Sequence, residues 1–71
     1  MIEDKVVKIF SDHVDSDVFI DSKISDFAID SLDAVEIIMD LEEEFDISLP
    51  DDIAMSFETL QDIVNYVEEN K

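Results

Sequence analysis

Apolar positions along this chain fall into three stripes of helical period, separated by one long stretch with no period. Ile2, Val6, Ile9 and Phe10 lie at i, i+4, i+7 and i+8, one face of a first helix of about three turns, with His13 on the same side. Glu3 and Asp4 fall in its first turn, where the helix dipole favours anions. Across residues 14–29 the anchors Val18, Phe19, Ile20, Ile24, Phe27 and Ile29 are scattered among Ser, Asp and Lys. That pattern predicts a long loop packed over the core, a kind of segment that is frequently functional.

The strongest periodicity spans residues 30–45. On a wheel turning about 100° per residue, Ala34, Ile38, Leu41 and Phe45 form the expected core stripe. Asp33, Glu36, Asp40, Glu43 and Glu44 form an acidic stripe, and Leu32 and Met39 lie just beyond it with no evident intrachain partner. Asp46 to Pro50 breaks the helix, with Ile47 and Leu49 as anchors. Pro50 opens a short helix running through Met55. Thr59-Leu60-Gln61-Asp62 matches a capping box, and Leu60, Ile63, Val64 and Val67 supply the inner face of a last helix. The expectation is an all-α fold: a small bundle of three principal helices plus one short helix, with a long first loop, in a single domain over residues 1–71.

Composition narrows the chemistry. A chain of 71 residues leaves no room for a cleft between domains, and a chain this short buries only about 60% of its unfolded surface. Any activity must come from a surface site, a bound group or a partner. There is no cysteine, hence no disulfide, thiolate metal site or cysteine nucleophile. There is no glycine either, so any turn needing positive φ must fall to Asn or Asp. No apolar run approaches the roughly 18 residues that span a bilayer, so no membrane insertion is expected. The opening Met1-Ile2-Glu3-Asp4 puts acids where a secretory signal would carry lysines, which points to a cytoplasmic protein, expected as a monomer.

Four lysines face 21 acids for a net charge of −17, and residues 24–70 hold fifteen acids and no Lys, Arg or His. Such a field repels nucleic acid and attracts basic protein surfaces. No base is paired with a nucleophile, so no catalytic residue is assigned and the chain is read as a non-enzyme. His13 reads as structural or capping, with no second ligand type near it in sequence. An EF-hand loop needs a central glycine that is absent, so no dedicated metal site is expected beyond loose divalent-ion binding by acids.

Asp30-Ser31-Leu32, continuing into Asp33-Ala34-Val35-Glu36-Ile37-Ile38-Met39-Asp40-Leu41-Glu42-Glu43-Glu44-Phe45, closely resembles the second helix of acyl carrier proteins. Leu49-Pro50-Asp51-Asp52 and the flanking helical patterns extend the resemblance over essentially the whole chain. On spacing alone Ser31 reads first as an N-cap, the commonest role of a serine before a helix. The resemblance implies instead that its hydroxyl is esterified by 4′-phosphopantetheine, transferred from coenzyme A by a phosphopantetheinyl transferase. Asp30, a good N-cap itself, would leave that hydroxyl free. The resemblance further implies that Leu32, Asp33, Glu36, Met39, Glu43 and Glu44 form a docking face for basic surfaces of acyl-processing enzymes, and that an acyl chain can lodge between helices. The implied pathway is dissociated (type II) fatty-acid biosynthesis. The alternatives are a specialised carrier for polyketide, aminoacyl or lipid-tailoring chemistry, or an unmodified acidic interaction module. One departure stands out: Ala28 occupies a position where family members commonly carry glycine, and it would be strained if its backbone needed positive φ.

Overall fold

In the computed structural model, which describes residues 1–70, the first stripe forms α1 (Ile2–Ser11) and the second α2 (Ser31–Phe45). A single-turn α3 (Asp51–Ala54) and then α4 (Leu60–Asn70) complete the bundle. No strand occurs among the described residues, only an isolated antiparallel bridge between Lys23 and Thr59. The expected all-α bundle is therefore the observed one. No helix among the described residues is long and apolar enough to cross a membrane.

Each helix starts or stops where its local chemistry dictates. At the head of α2 the Asp30 carboxylate accepts the Asp33 N–H at 2.8 Å, meeting one of the four donors a helix start leaves unpaired. The capping box at α4 forms reciprocally. Asp62 accepts the Glu58 and Thr59 N–H groups at 2.9 and 3.2 Å, and its own N–H reaches the Thr59 hydroxyl at 3.3 Å. Those donated bonds hold the Asp62 carboxyl below its usual range. Pro50 stands just before α3 with φ near −60°. At the end of α2, Asp46 adopts φ 54° and ψ 51°, the one positive-φ residue among those described. In a chain without glycine, aspartate takes the left-handed turn, as anticipated. Ala28 does not have positive φ, so the replacement of the usual glycine carries no backbone strain.

The core is built from Val6 and Phe10 of α1, Ile37, Leu41 and Phe45 of α2, Leu49, and the Leu60, Ile63, Val64 and Val67 face of α4. Burying each such side chain contributes about 1.5–3 kcal/mol. The inner face of α4 is as expected, whereas α2 is rotated relative to the expected stripe. Ile37, not Ile38, is fully buried, and Ala34 and Ile38 are half-buried. Ile37 joins the cluster formed with Val6, Phe10 and the α4 face, while Ala34 and Ile38 border, with Ile37 and Leu41, a cavity that leaves them partly uncovered.

The long first connection is tied down rather than loose. Ile24 N–H donates to the Glu58 carbonyl at 2.8 Å, and Leu60 N–H to the Ser22 carbonyl at 3.3 Å. A 3₁₀ turn spans Ile24–Asp26, and Phe27 packs on Phe10 with ring centroids 6.4 Å apart. The link after α2 is fixed by Leu49 N–H on the Glu42 carboxylate at 2.8 Å and by the Tyr66 hydroxyl on the Ser48 carbonyl at 3.1 Å.

Candidate functional site

Ser31 is the first residue of α2 and is exposed. Because Asp30 does the capping, the serine hydroxyl is not needed to close the helix start. Unpaired N–H groups and the positive end of the helix dipole surround that hydroxyl, which suits a phosphodiester anion. The loop leading into it carries Ile29, which lines an apolar cavity of about 100 Å³. Ala34, Ile38, Leu41, Ala54 and Phe57 contribute further walls. A surface hydroxyl beside an apolar cavity offers an attachment point and, next to it, a place for an oily cargo.

Of the expected docking residues, Leu32 and Met39 are exposed, at 77% and 51%. Val35, at 53%, stands between them and completes an apolar strip at i, i+3, i+7. Its wheel position next to Leu32 and Met39 is a sufficient signal in the sequence, though Val35 is not among the docking residues expected there. No residue of this strip belongs to the core cluster or packs against it.

The acidic stripe divides. Glu36 and Glu43 lie beside the apolar strip on the wheel and are exposed. Glu44 turns toward α1 and meets the Lys5 ammonium at 3.3 Å. Asp33 is half-buried, and its Oδ1 lies 3.8 Å from His13 Nδ1. The stripe thus has partners in Lys5 on α1 and His13 just past its end, which the absence of lysines on α2 itself did not reveal.

His13 also departs from the expectation of a lone histidine with no second ligand type near it. Its side chain is only 14% exposed and sits past the end of α1, its N–H held by the Phe10 carbonyl at 3.0 Å. Asp40 Oδ2 lies 3.2 Å from Nε2, and Glu36 Oε2 lies 3.8 Å from Nδ1. Hydrogen bonding to Asp40 raises the His13 pKa, opposed by desolvation and reinforced by the charges of Asp40, Glu36 and Asp33.

These features define a carrier module: a helical bundle that presents one serine at a capped helix start beside an apolar recess. The sequence matches the family described as "Phosphopantetheine attachment site" over residues 4–67. Two acyl carrier proteins of Rickettsia bellii, from strains RML369-C and OSU 85-389, are each 38% identical to it, covering 99% of this chain and 86% and 91% of their own lengths. The crystal structure of a mitochondrial acyl carrier protein of Toxoplasma superposes with a TM-score of 0.84 at 30% identity, covering 97% of this chain and 86% of that one. The chain belongs to the acyl carrier protein family. Its cofactor is 4′-phosphopantetheine, and it carries acyl groups on that cofactor rather than acting as an enzyme. A transferase that installs the group and acyl-processing proteins that use it are its partners.

Proposed function

We propose that Ser31 bears the phosphopantetheine arm and that the chain serves as a discrete, cytoplasmic carrier domain over residues 1–71 in dissociated (type II) fatty-acid biosynthesis. The observation that carries this reading is the division of labour at the head of α2, with Asp30 capping and Ser31 exposed and free. When bound, the group supplies a terminal thiol that holds acyl chains as thioesters. Ser31 fixes the anchor to a rigid helix start, the backbone N–H groups of the first turn offset the anionic charge, and the recess beyond Ile29 takes apolar cargo out of water.

On the same reading, Leu32, Val35 and Met39 give partners a small apolar contact. Glu36 and Glu43, with Asp33 and Glu44 behind them, supply the charge that basic enzyme surfaces meet. Exposed charge contacts of this kind are worth about 0.2–1 kcal/mol each, so the docking is weak and quickly reversed, as a shuttle requires.

Intact-mass analysis after incubation with coenzyme A and a phosphopantetheinyl transferase tests the attachment. The wild type gains the mass of one arm and Ser31→Ala gains none. A wild-type chain that stays unmodified would refute the assignment. Reconstitution with dissociated fatty-acid synthase enzymes then tests the pathway, and a loaded chain that never elongates there counts against it.

A further inference from the structure

We propose that His13, Asp33 and Glu36 form a site for a borderline divalent metal of the zinc type, with Asp40 as the outer partner that orients the histidine. The site shares Asp33 and Glu36 with the proposed docking face, and its test does not depend on the carrier reading.

The imidazole sets the geometry. A carboxylate can only accept, so the His13 Nε2 that faces Asp40 Oδ2 at 3.2 Å is the nitrogen assigned the hydrogen. In the neutral ring, Nδ1 then presents a lone pair. Asp33 Oδ1 and Glu36 Oε2 each lie 3.8 Å from that nitrogen. At that distance neither contact is a hydrogen bond even when Nδ1 is protonated. Three electron-rich atoms therefore converge without a hydrogen bond joining them, and a cation between them resolves the arrangement.

The dimensions agree. The donor atoms of His13, Asp33 and Glu36 all lie within 4.8 Å of one another. Ligands on a tetrahedral zinc ion with bonds of about 2.1 Å stand roughly 3.4 Å apart, so the two carboxylates need to close by about 0.4 Å on the ring and by up to about 1.4 Å on each other. Glu36 is exposed and free to make that movement. One imidazole with two carboxylates suits zinc or cobalt better than calcium or magnesium, which prefer all-oxygen shells. Three protein ligands leave a fourth position for water.

The histidine and its backing separate this site from a chance grouping of surface acids. A ligating histidine usually passes its other ring N–H to a carboxylate, which fixes the tautomer and sharpens the ligand. Asp40 stands one turn beyond Glu36 on α2 and does this, and the ring is held by its burial and by the His13 backbone bond to Phe10. The bound ion would clasp the exit of α1 to the first two turns of α2.

The test is a Zn²⁺ titration of the full apo chain by calorimetry at pH 8, where the raised His13 pKa competes least, with Mg²⁺ as the comparison. The wild type takes one equivalent of Zn²⁺ at least ~10-fold more tightly than Mg²⁺. His13→Gln and Glu36→Gln each weaken Zn²⁺ about 10-fold or more, Asp40→Asn also weakens it, and none changes Mg²⁺ binding. Co²⁺ in the wild type gives the visible absorption of a tetrahedral site. Circular dichroism checks that each variant is folded, and Glu36→Gln, at an exposed position, serves if His13→Gln is not. Zn²⁺ uptake that is unchanged in both variants would overturn the proposal, since it would reflect diffuse acidic binding. Wild-type affinity no better for Zn²⁺ than for Mg²⁺ would do the same.

Discussion

Replacing Asp30 separates the two jobs done at the head of α2. The structure gives the residue one defined bond, from the Asp33 N–H to Oδ1 at 2.8 Å, at an exposed position. Losing an N-cap acceptor costs about 1 kcal/mol, and the loss of a favourable charge at the dipole's positive end adds about 0.3 kcal/mol or more. For a chain of this size each 1 kcal/mol moves the melting temperature by about 4–8 °C, so Asp30→Ala should melt roughly 5–10 °C below wild type. Asp30→Asn keeps the acceptor and loses only the charge, and it should stay within about 3 °C. Thermal unfolding monitored by far-ultraviolet circular dichroism reads both. If Asp30→Ala melts within about 1 °C of wild type, the cap contributes nothing and the reason for Ser31 being left free disappears. If Asn is as damaging as Ala, charge and not hydrogen bonding sets the helix start.

Three further outcomes are expected from the same geometry. Asp46→Gly should raise stability by about 0.5–1 kcal/mol by relieving the left-handed backbone, while Asp46→Val should lower it by about 1–2 kcal/mol; urea midpoints decide, and equal midpoints refute the turn assignment. Ala28→Gly should be destabilising by roughly 0.4–1 kcal/mol because it loosens only the unfolded chain, and a gain in melting temperature would mean that the loop is strained after all. The Asp62 carboxyl is depressed below its ordinary value near 3.8 in the folded state, so its contribution is fully present above that pH and fades as pH falls through the folded value. The stability gap between wild type and Asp62→Asn should therefore be widest near neutrality and shrink toward pH 3, and a gap that grows on acidification would contradict the reciprocal cap.

Much of this fold is written in local chemistry. The α4 cap at Thr59 and Asp62, its inner face, the stop at Asp46 and the proline before α3 each depend on neighbours a few residues away, and each is legible from spacing. The burial of Ile37 in place of Ile38 was not, because a wheel reports the period of a helix and not which side its neighbours press. Val35 was legible in principle, since it shares a wheel sector with Leu32 and Met39, but the acids on either side of it dominate the pattern. The pairings of Lys5 with Glu44 and of His13 with Asp33, Glu36 and Asp40 join residues 20 or more positions apart. They exist only because α1 lies along α2, which no local rule encodes.

The side of α2 that faces α1 has a consequence for encounters in solution. Lys5 and Lys8 both lie on α1 and Lys23 lies beside Thr59 at the approach to α4, while α2, α3 and α4 themselves, among the described residues, carry no Lys, Arg or His. Such a molecule is an electric dipole as well as an anion. On the docking face proposed above, the field of a basic enzyme would exert a torque that turns the α1 edge away and the Leu32, Val35 and Met39 strip forward before the surfaces touch. A larger fraction of collisions would then be productive, and raising the ionic strength should remove that advantage from the association rate while leaving dissociation nearly unchanged.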